Sequence, residues 1–510
     1  MSDIEPTEEP VRRVATGSSG LDALLNGGWV HGGTYMVSGA PGTGKTVLGN
    51  QLCFSHVANG GRAVFITMLS ESHGRMMSHL RGMRFFRREL IGQSLHYVSA
   101  YATLKAEGLE GLSRLLYRSV REHQASVLVL DGLLAAQESA GSVLIFREFL
   151  HSLGVHNALA GCTTLVLTNR QENSADPQFA MVDGVLALEM NLLEGLQSVR
   201  TLEVTKLRGE SQITGRHVFE INEQGLEVYP RLEARFASRH EEPPRPPGRL
   251  GFGVPHLDEM LTGGVPCHSS TLLSGAPGSG KTLLGLHFLA DGVRRGESGL
   301  YFGFGETRAR LLAKAEGVGL ALAPALASGA LVVESRSAVE CLPDARAHEL
   351  LALVERHQVS RLVLDGLELL LDAMNPRRTL GFVTALLVAL RSRGVTPMMI
   401  QRTPLLLGPL MEGPWPGLDA LIDNIVFLRY VELRSRLYRM LSILKMSESP
   451  HDSTSREFSL SSRGIDVSDS SESAENILLG RHRPRAVKRP SPRSKAAPRR
   501  RTALKRGGRA

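Results

Sequence analysis

The sequence predicts an α/β protein made of two tandem copies of one unit, each with a mostly parallel central sheet, followed by a disordered basic tail. Three observations carry this reading. The octapeptide GAPGTGKT at 39–46 returns as GAPGSGKT at 275–282. The sequence around it repeats at the same offset of 236 residues. Short continuous apolar runs alternate with longer stretches of helical composition, the order that a parallel sheet with crossover helices requires.

Taken along the chain, the acidic start MSDIEPTEEP lies in an irregular N-terminus, residues 1–13. It lacks the basic and apolar regions of a signal peptide, and no run approaches the roughly 18 apolar residues of a membrane span, so a cytoplasmic protein is expected. The first unit spans 14–236. Its opening, GSSGLDALLNGG (17–28), lies over 253–264, with Gly17 on Gly253, Leu21 and Asp22 on Leu257 and Asp258, and Gly27 and Gly28 on Gly263 and Gly264. TYMVSG, AVFITM, SVLVLD and TTLVLT are apolar segments of the kind that form strands buried on both faces. Helices are predicted at 45–58, 109–124 and 142–159. EEPPRPPGR (241–249) is too rich in proline for a helix or a buried strand, so 237–248 is a stiff linker.

The second unit, 249–466, repeats the arrangement with TLLSG, LYFGF, RLVLD and TPMMIQ. VFITMLSES (64–72) matches YFGFGET (301–307), and SVLVLDG (126–132) matches RLVLDG (361–366). From 467 to 510, SDSSESAEN and the Arg/Pro/Ser-rich remainder have the composition of a disordered tail.

Composition agrees. The 510 residues exceed what a single core of about 250–300 residues accommodates, and 42% hydrophobic with 22% charged residues is a globular balance. Cys53, Cys162, Cys267 and Cys341 are scattered, with no pair at zinc-site spacing and no disulfide framework, so reduced thiols are expected. The net charge of +8 belongs to the tail: residues 481–510 hold thirteen Lys/Arg and no Asp/Glu, which leaves −5 for residues 1–480. Such a tail neutralises nucleic-acid phosphates or docks on acidic partners, and it also serves solubility alone. It has no interleaved aromatic on which a base could stack.

The repeated octapeptide fits GxxxxGK[ST] between a strand and a helix, the phosphate-binding loop. Gly39, Ala40, Pro41, Gly42, Thr43 and Gly44 in one copy, and Gly275, Ala276, Pro277, Gly278, Ser279 and Gly280 in the other, let successive backbone N–H groups converge on phosphate oxygens at a helix N-terminus. Lys45 and Lys281 are expected to reach the β and γ phosphates of ATP. Thr46 and Thr282 are expected to ligate Mg2+, which prefers hard oxygen. Two copies in the right context argue against a chance glycine-rich turn. Asp131 and Asp365 each close an aliphatic strand and precede glycine. At the C-terminal edge of a parallel sheet a carboxylate holds Mg2+ through water, although Asp-Gly also simply makes turns. Glu71 and Glu306 end the strand that follows the phosphate-loop helix and are candidates to orient or deprotonate the attacking water; each also suits the first turn of a helix.

The paired phosphate loops, each opened by a GhxxLDxxLxGG stretch, resemble the KaiC branch of the RecA-type ATPases over residues 14–466. RTLEVTKLRGES (200–211) is similar to the family segment that reaches a neighbouring subunit's γ-phosphate. By that resemblance Lys206 and Arg208 act in trans on a ring of subunits, and the chain is a double-ring hexamer. ILKMSES (443–449) is the corresponding segment of the second unit, with Lys445 kept and Ser447 where the family has arginine. Family members tend to carry two adjacent glutamates after the second strand; here Ser70 and Gly305 stand in the first of these places. The resemblance therefore implies a slow ATPase, with the second site the weaker.

DNIVFLRYVELR (423–434) resembles the run that follows the phosphorylated Ser-Thr pair of clock members, but that pair falls on Asp419 and Ala420, which tells against timekeeping autophosphorylation. Ser435, Ser442 and Ser447 are nearby hydroxyls. The expectation is an ATP-binding regulatory ATPase whose nucleotide state a protein partner reads. The alternatives are a serine/threonine autokinase, a DNA-associated RecA-type ATPase and a non-enzymatic ATP-gated scaffold.

Overall fold

A computed structural model describes residues 11–68, 73–169, 177–193, 197–236, 245–337, 341–403 and 417–479. Among these residues each unit holds one nine-stranded sheet. In the first unit the strands are β1 (Thr34–Gly39), β2 (Ala63–Thr67), β3 (Leu95–Ser99), β4 (Val127–Asp131), β5 (Thr163–Thr168), β6 (Gly184–Leu193), β7 (Gln197–Leu207), β8 (His217–Asn222) and β9 (Gly225–Tyr229). Their spatial order is β9-β8-β7-β6-β1-β5-β4-β2-β3.

The six strands from β6 to β3 run parallel, and β7, β8 and β9 extend the sheet antiparallel. Every residue of β1, β2, β4 and β5 is buried, as their unbroken apolar character requires of strands covered on both faces. In β8 burial alternates at its start, because one face of the antiparallel part packs inward and the other meets solvent.

The second unit repeats the order. Its strands are β10 (Thr271–Gly275), β11 (Gly299–Phe304), β12 (Leu331–Arg336), β13 (Arg361–Asp365), β14 (Thr396–Arg402), β15 (Asn424–Leu433), β16 (Arg436–Met446), β17 (Arg456–Ser461) and β18 (Gly464–Val467). They are arranged β12-β11-β13-β14-β10-β15-β16-β17-β18. The expected α/β fold with mostly parallel sheets is therefore present twice.

The helices behind the cradles, Lys45–Ala58 and Lys281–Arg294, lie close on their sheets because glycine faces the strands. A Cβ at Gly49 would stand 2.9 Å from Val129 Cγ1, closer than side chains approach. The helix expected at 109–124 spans Tyr101–Glu122, broken at Gly108, whose φ of 61° is non-helical. The helix expected at 142–159 spans Val143–Leu159; the hydroxyl of Ser142 accepts from the Ile145 N–H at its start.

Residues 467–479 depart from the expected tail, whose remainder, 480–510, lies outside the described residues. Gly464–Val467 completes the sheet, and Glu472–Leu478 is a helix that buries Ala474 and Ile477 against Met440. Two apolar residues three apart share one helix face, enough to seat a short polar segment once a strand is there to receive it. The cysteines are free thiols, with Cys53, Cys162 and Cys341 buried.

The units are joined by more than a linker. The helix Leu232–Phe236 at the end of the first unit contributes Leu232 and Phe236 to the core of the second, beside Phe382, Leu386 and Leu350. Over this contact Arg378 donates to both carboxylate oxygens of Glu233, at 2.6 and 3.1 Å, and to Asp344, at 2.9 to 3.1 Å. His348 Nε2 lies 2.7 Å from the Pro230 carbonyl oxygen. No helix among the described residues is long and apolar enough to cross a membrane.

Candidate functional site

Both glycine-lined loops connect a buried strand to a helix whose first residue is the loop lysine. Gly42 and Gly44 have φ of 83° and 105°, and Gly278 and Gly280 have 74° and 108°. Only glycine takes such angles without strain, and alternating them turns the backbone N–H groups inward to form an anion nest. A Cβ at Gly44 would come within 2.5 Å of Ile221 Cδ1, a chain-end methyl that can turn aside, so the need for glycine there is conformational.

The lysines are almost buried, each 6% exposed. Lys45 Nζ donates to the carbonyls of Gly39 and Ala40, both at 2.8 Å, and Lys281 Nζ to those of Gly275 and Ala276 at 2.7 and 2.8 Å. Burial lowers both amines, Lys281 to about 8, with Asp365 opposing the shift. Two cations are thus held against the cost of desolvation beside loops of inward-facing amides.

Thr46 Oγ1 donates to Asp131 Oδ2 at 2.9 Å, and Thr282 Oγ1 to Asp365 Oδ2 at 2.7 Å. Burial raises the Asp365 carboxyl, an effect partly offset by the hydroxyls that donate to it. A hydroxyl and a carboxylate set together at a phosphate loop are a hard-oxygen pair that suits Mg2+. The buried Ser279 Oγ, without a hydrogen-bond partner, leaves a further polar atom in the second loop available. The donor set in both units fits a magnesium nucleotide.

In the second unit Pro277, Lys281, Thr282, Glu306, Asp365 and Arg402 line one cleft of about 590 Å³. Glu306, the candidate for orienting water, lies among these residues, two positions beyond the end of β11. Its Oε1 is ion-paired with Lys314 and its Oε2 is buried without a partner. Glu71 and Ser70 lie outside the described residues.

Three further groups in or beside this cleft have no motif to announce them. Tyr301 OH donates to Asp365 Oδ2 at 2.8 Å, reaching across the space that Gly303 leaves open. Arg402 Nε donates to Glu368 Oε1 at 2.6 Å. The signal in the sequence was charge at the C-terminal ends of strands: RLVLDGLE and MMIQR both end in ionisable residues at the sheet edge that bears the loop.

Lys206, Arg208 and Lys445 are not brought to the cradles of their own units. β6 runs parallel to β1, with Leu188 opposite Gly39, whereas Lys206 pairs with Val185 near the start of β6. At about 3.3 Å per residue this puts Lys206 roughly 10 Å back along the sheet from the loop. Lys206 Nζ donates to the carbonyls of Phe179, Ala180 and Val182, and Arg208 is an exposed partner of Asp183. Lys445 Nζ donates likewise to Asp419 and Ile422, and Ser447 Oγ to the Asp423 carbonyl.

With this geometry in view, the comparison with known proteins is decisive for the family. The KaiC ATPase family model matches residues 14–233 and again 250–472. The chain belongs to the KaiC ATPase family. Curated relatives extend the likeness over nearly the full length. The circadian clock oscillator protein KaiC of Rippkaea orientalis is 26% identical over 491 residues, covering 93% of this chain and 92% of its own. Circadian clock oscillator protein KaiC 1 of a Synechocystis species is 27% identical over 485 residues, covering 92% of both. KaiC of Thermosynechococcus vestitus is 26% identical over 492 residues, covering 94% of this chain and 93% of its own. Nucleotide binding is what membership of this ATPase family implies for both loops.

Proposed function

We propose that this KaiC-family ATPase binds ATP with Mg2+ at both cradles, hydrolyses it slowly, and acts in the cytoplasm as a nucleotide-dependent double-ring hexamer whose state a protein partner reads. One observation made twice supports ATP at each site: a buried lysine, a glycine nest and a Thr–Asp oxygen pair at the N-terminus of one helix. Mg2+, held by Thr46 with Asp131 and by Thr282 with Asp365, would supply positive charge against the phosphates. Lys45 and Lys281 would exchange the loop carbonyls for phosphate oxygens, a trade of weak acceptors for charged ones.

Glu306, with one carboxylate oxygen unengaged, accepts a proton from water within the cleft, and Glu71 is proposed for the same role in the first site. Slow turnover follows from Ser70 and Gly305, where the resemblance leads one to expect a second carboxylate. The hexamer is supported by where Lys206 and Arg208 lie: they reach a phosphate only if it belongs to a neighbouring chain. The expected result of Glu71→Gln with Glu306→Gln is loss of at least about 100-fold in steady-state phosphate release with ATP binding retained. Release unchanged in the double variant would remove the two glutamates from the reaction, and no release above background from the parent would favour a nucleotide-gated scaffold.

Native mass spectrometry with and without ATP-Mg2+, on the parent, Lys45→Ala and Lys281→Ala, tests the assembly. A hexamer that forms with ATP and is lost with one of the two substitutions assigns assembly to that cradle. A monomer under all conditions removes the ring. The curated relatives are clock oscillator proteins, but Asp419 and Ala420 carry no phosphorylatable hydroxyl, and a timekeeping role is not proposed.

A further inference from the structure

The second cleft contains a cation, Arg402, at a position where the first unit has the uncharged Asn169. Arg402 is the last residue of β14 and pairs with Gly275, the last residue of β10 and first of the loop. The next residue, Thr403, donates its N–H to the Gly275 carbonyl, the same oxygen that receives Lys281 Nζ. Arg402 therefore stands beside the loop lysine on the adjacent strand, and both line the cleft with Thr282 and Glu306.

Its orientation is set from behind. Glu368, the second residue of the helix Leu367–Leu371 that follows Asp365 and Gly366, takes the Nε hydrogen at 2.6 Å. The Glu368 side chain is 13% exposed and that of Arg402 55%. Among the described residues no hydrogen bond occupies the two terminal nitrogens of Arg402, so its paired donors are presented forward while its inner edge is fixed. That is how a guanidinium takes a phosphate bidentately.

The corresponding places in the first unit are Leu134, second in the helix Leu133–Glu138, and Asn169, one step beyond the Ser38–Thr168 pair. Neither is charged. The contrast is paired with another: the first unit keeps Arg208 in its trans segment, and the second has Ser447 there.

We infer that Arg402, positioned by Glu368, contacts the terminal phosphate of the nucleotide at the second cradle from within the same chain, so that this site discriminates triphosphate from diphosphate by its own arginine. The inference rests on the proposed reading that the second loop binds a nucleotide. Lys281 reaches the β phosphate, which both ligands carry, as well as the γ, so it still holds ADP, whereas the Arg402 contact falls on the phosphate that ADP lacks.

The test is equilibrium binding of ADP and of a non-hydrolysable ATP analogue, with Mg2+, to the full chain carrying Lys45→Ala, which confines binding to the second cradle. Adding Arg402→Ala is expected to weaken the analogue by about tenfold or more, with ADP affinity held within about twofold. Retained ADP binding also reports that the cleft is folded. Glu368→Gln, which keeps the shape but loses the charge behind Arg402, is expected to weaken the analogue by a smaller factor and leave ADP alone. An unchanged ratio of the two affinities in Arg402→Ala overturns the inference while the nucleotide site stands, as does an equal loss of both ligands. If the Lys45→Ala chain binds neither ligand, the reading of the second site fails and the inference with it.

Discussion

Arg378→Ala is expected to lower the unfolding free energy of the second unit by about 3–5 kcal/mol, measured by urea denaturation of the full chain without nucleotide. Arg378 is the common partner of Glu233, from the first unit, and Asp344, from the second. The Asp344 side chain is 1% exposed, so removing the guanidinium leaves a carboxylate buried with no cation. Burial already pushes the Asp344 carboxyl up, and Arg378 is what opposes it. Glu233 shows the other side of the bargain. Its burial also favours the neutral acid, but the hydrogen bonds from Arg378 prevail and its carboxyl is held below the ordinary value.

If the loss comes from the stranded carboxylate, Arg378→Met with Asp344→Leu must be less destabilised than Arg378→Ala alone, because apolar residues of like volume replace buried ion pairs at little cost. Equal loss in the two variants would show that the contact matters for shape and not charge. The same joint packs Leu232 and Phe236 into the second core, so Arg378→Ala is also expected to expose the chain after Tyr229 to limited proteolysis. An unchanged cleavage pattern would confine the effect to the second unit.

The joint explains what could and could not be read in advance. The loops, their helices and the buried parallel strands were legible because each is local: a strand, a turn and a helix start lie within about fifteen residues, and strands covered on both faces are continuously apolar. The Thr–Asp pairs were legible too, since each residue type marks its own position even though 85 and 83 residues separate the partners. Arg378 and Glu233 are 145 apart, and an arginine in NPRRT carries no mark of its partner.

Arg402 and Glu368 failed to show for the same reason: only the register of β14 against β10 turns two unremarkable charges into one feature of the cleft. The antiparallel strands β7, β8 and β9 were hidden differently. Their solvent-facing positions break the apolar run, and the helix Glu472–Leu478 looked like tail because its two buried apolar residues acquire meaning only against Met440. Nearness to KaiC, in contrast, was carried by local strings, and the family match over 14–233 and 250–472 covers the same duplicated body.

The buried loop lysine of the second site is expected to make nucleotide binding take up protons at mildly alkaline pH. Burial holds the Lys281 amine at about 8, against an ordinary 10.5, with Asp365 opposing. Near pH 8 the amine is therefore half protonated in the nucleotide-free protein. A triphosphate set beside it favours the cation and returns the amine toward its ordinary range. Calorimetry of ATP-Mg2+ binding in buffers of different ionisation enthalpy, on the Lys45→Ala chain, should find uptake of about half a proton per site at pH 8 and close to none at pH 6.

The sign for stability runs the same way. Between pH 8 and 10.5 the unfolded chain binds the proton that the folded, nucleotide-free chain has lost, so stability rises with pH across that window and is lowest, by about 3 kcal/mol, below it. Lys281→Met should relieve that cost at pH 7, stabilising the empty protein while abolishing binding at the second cradle. A Lys281→Met chain no more stable than the parent at pH 7, together with proton uptake that does not change between pH 6 and 8, would mean that the amine is not poised by burial. The loop would then not be spending folding energy on a cation kept ready for phosphate.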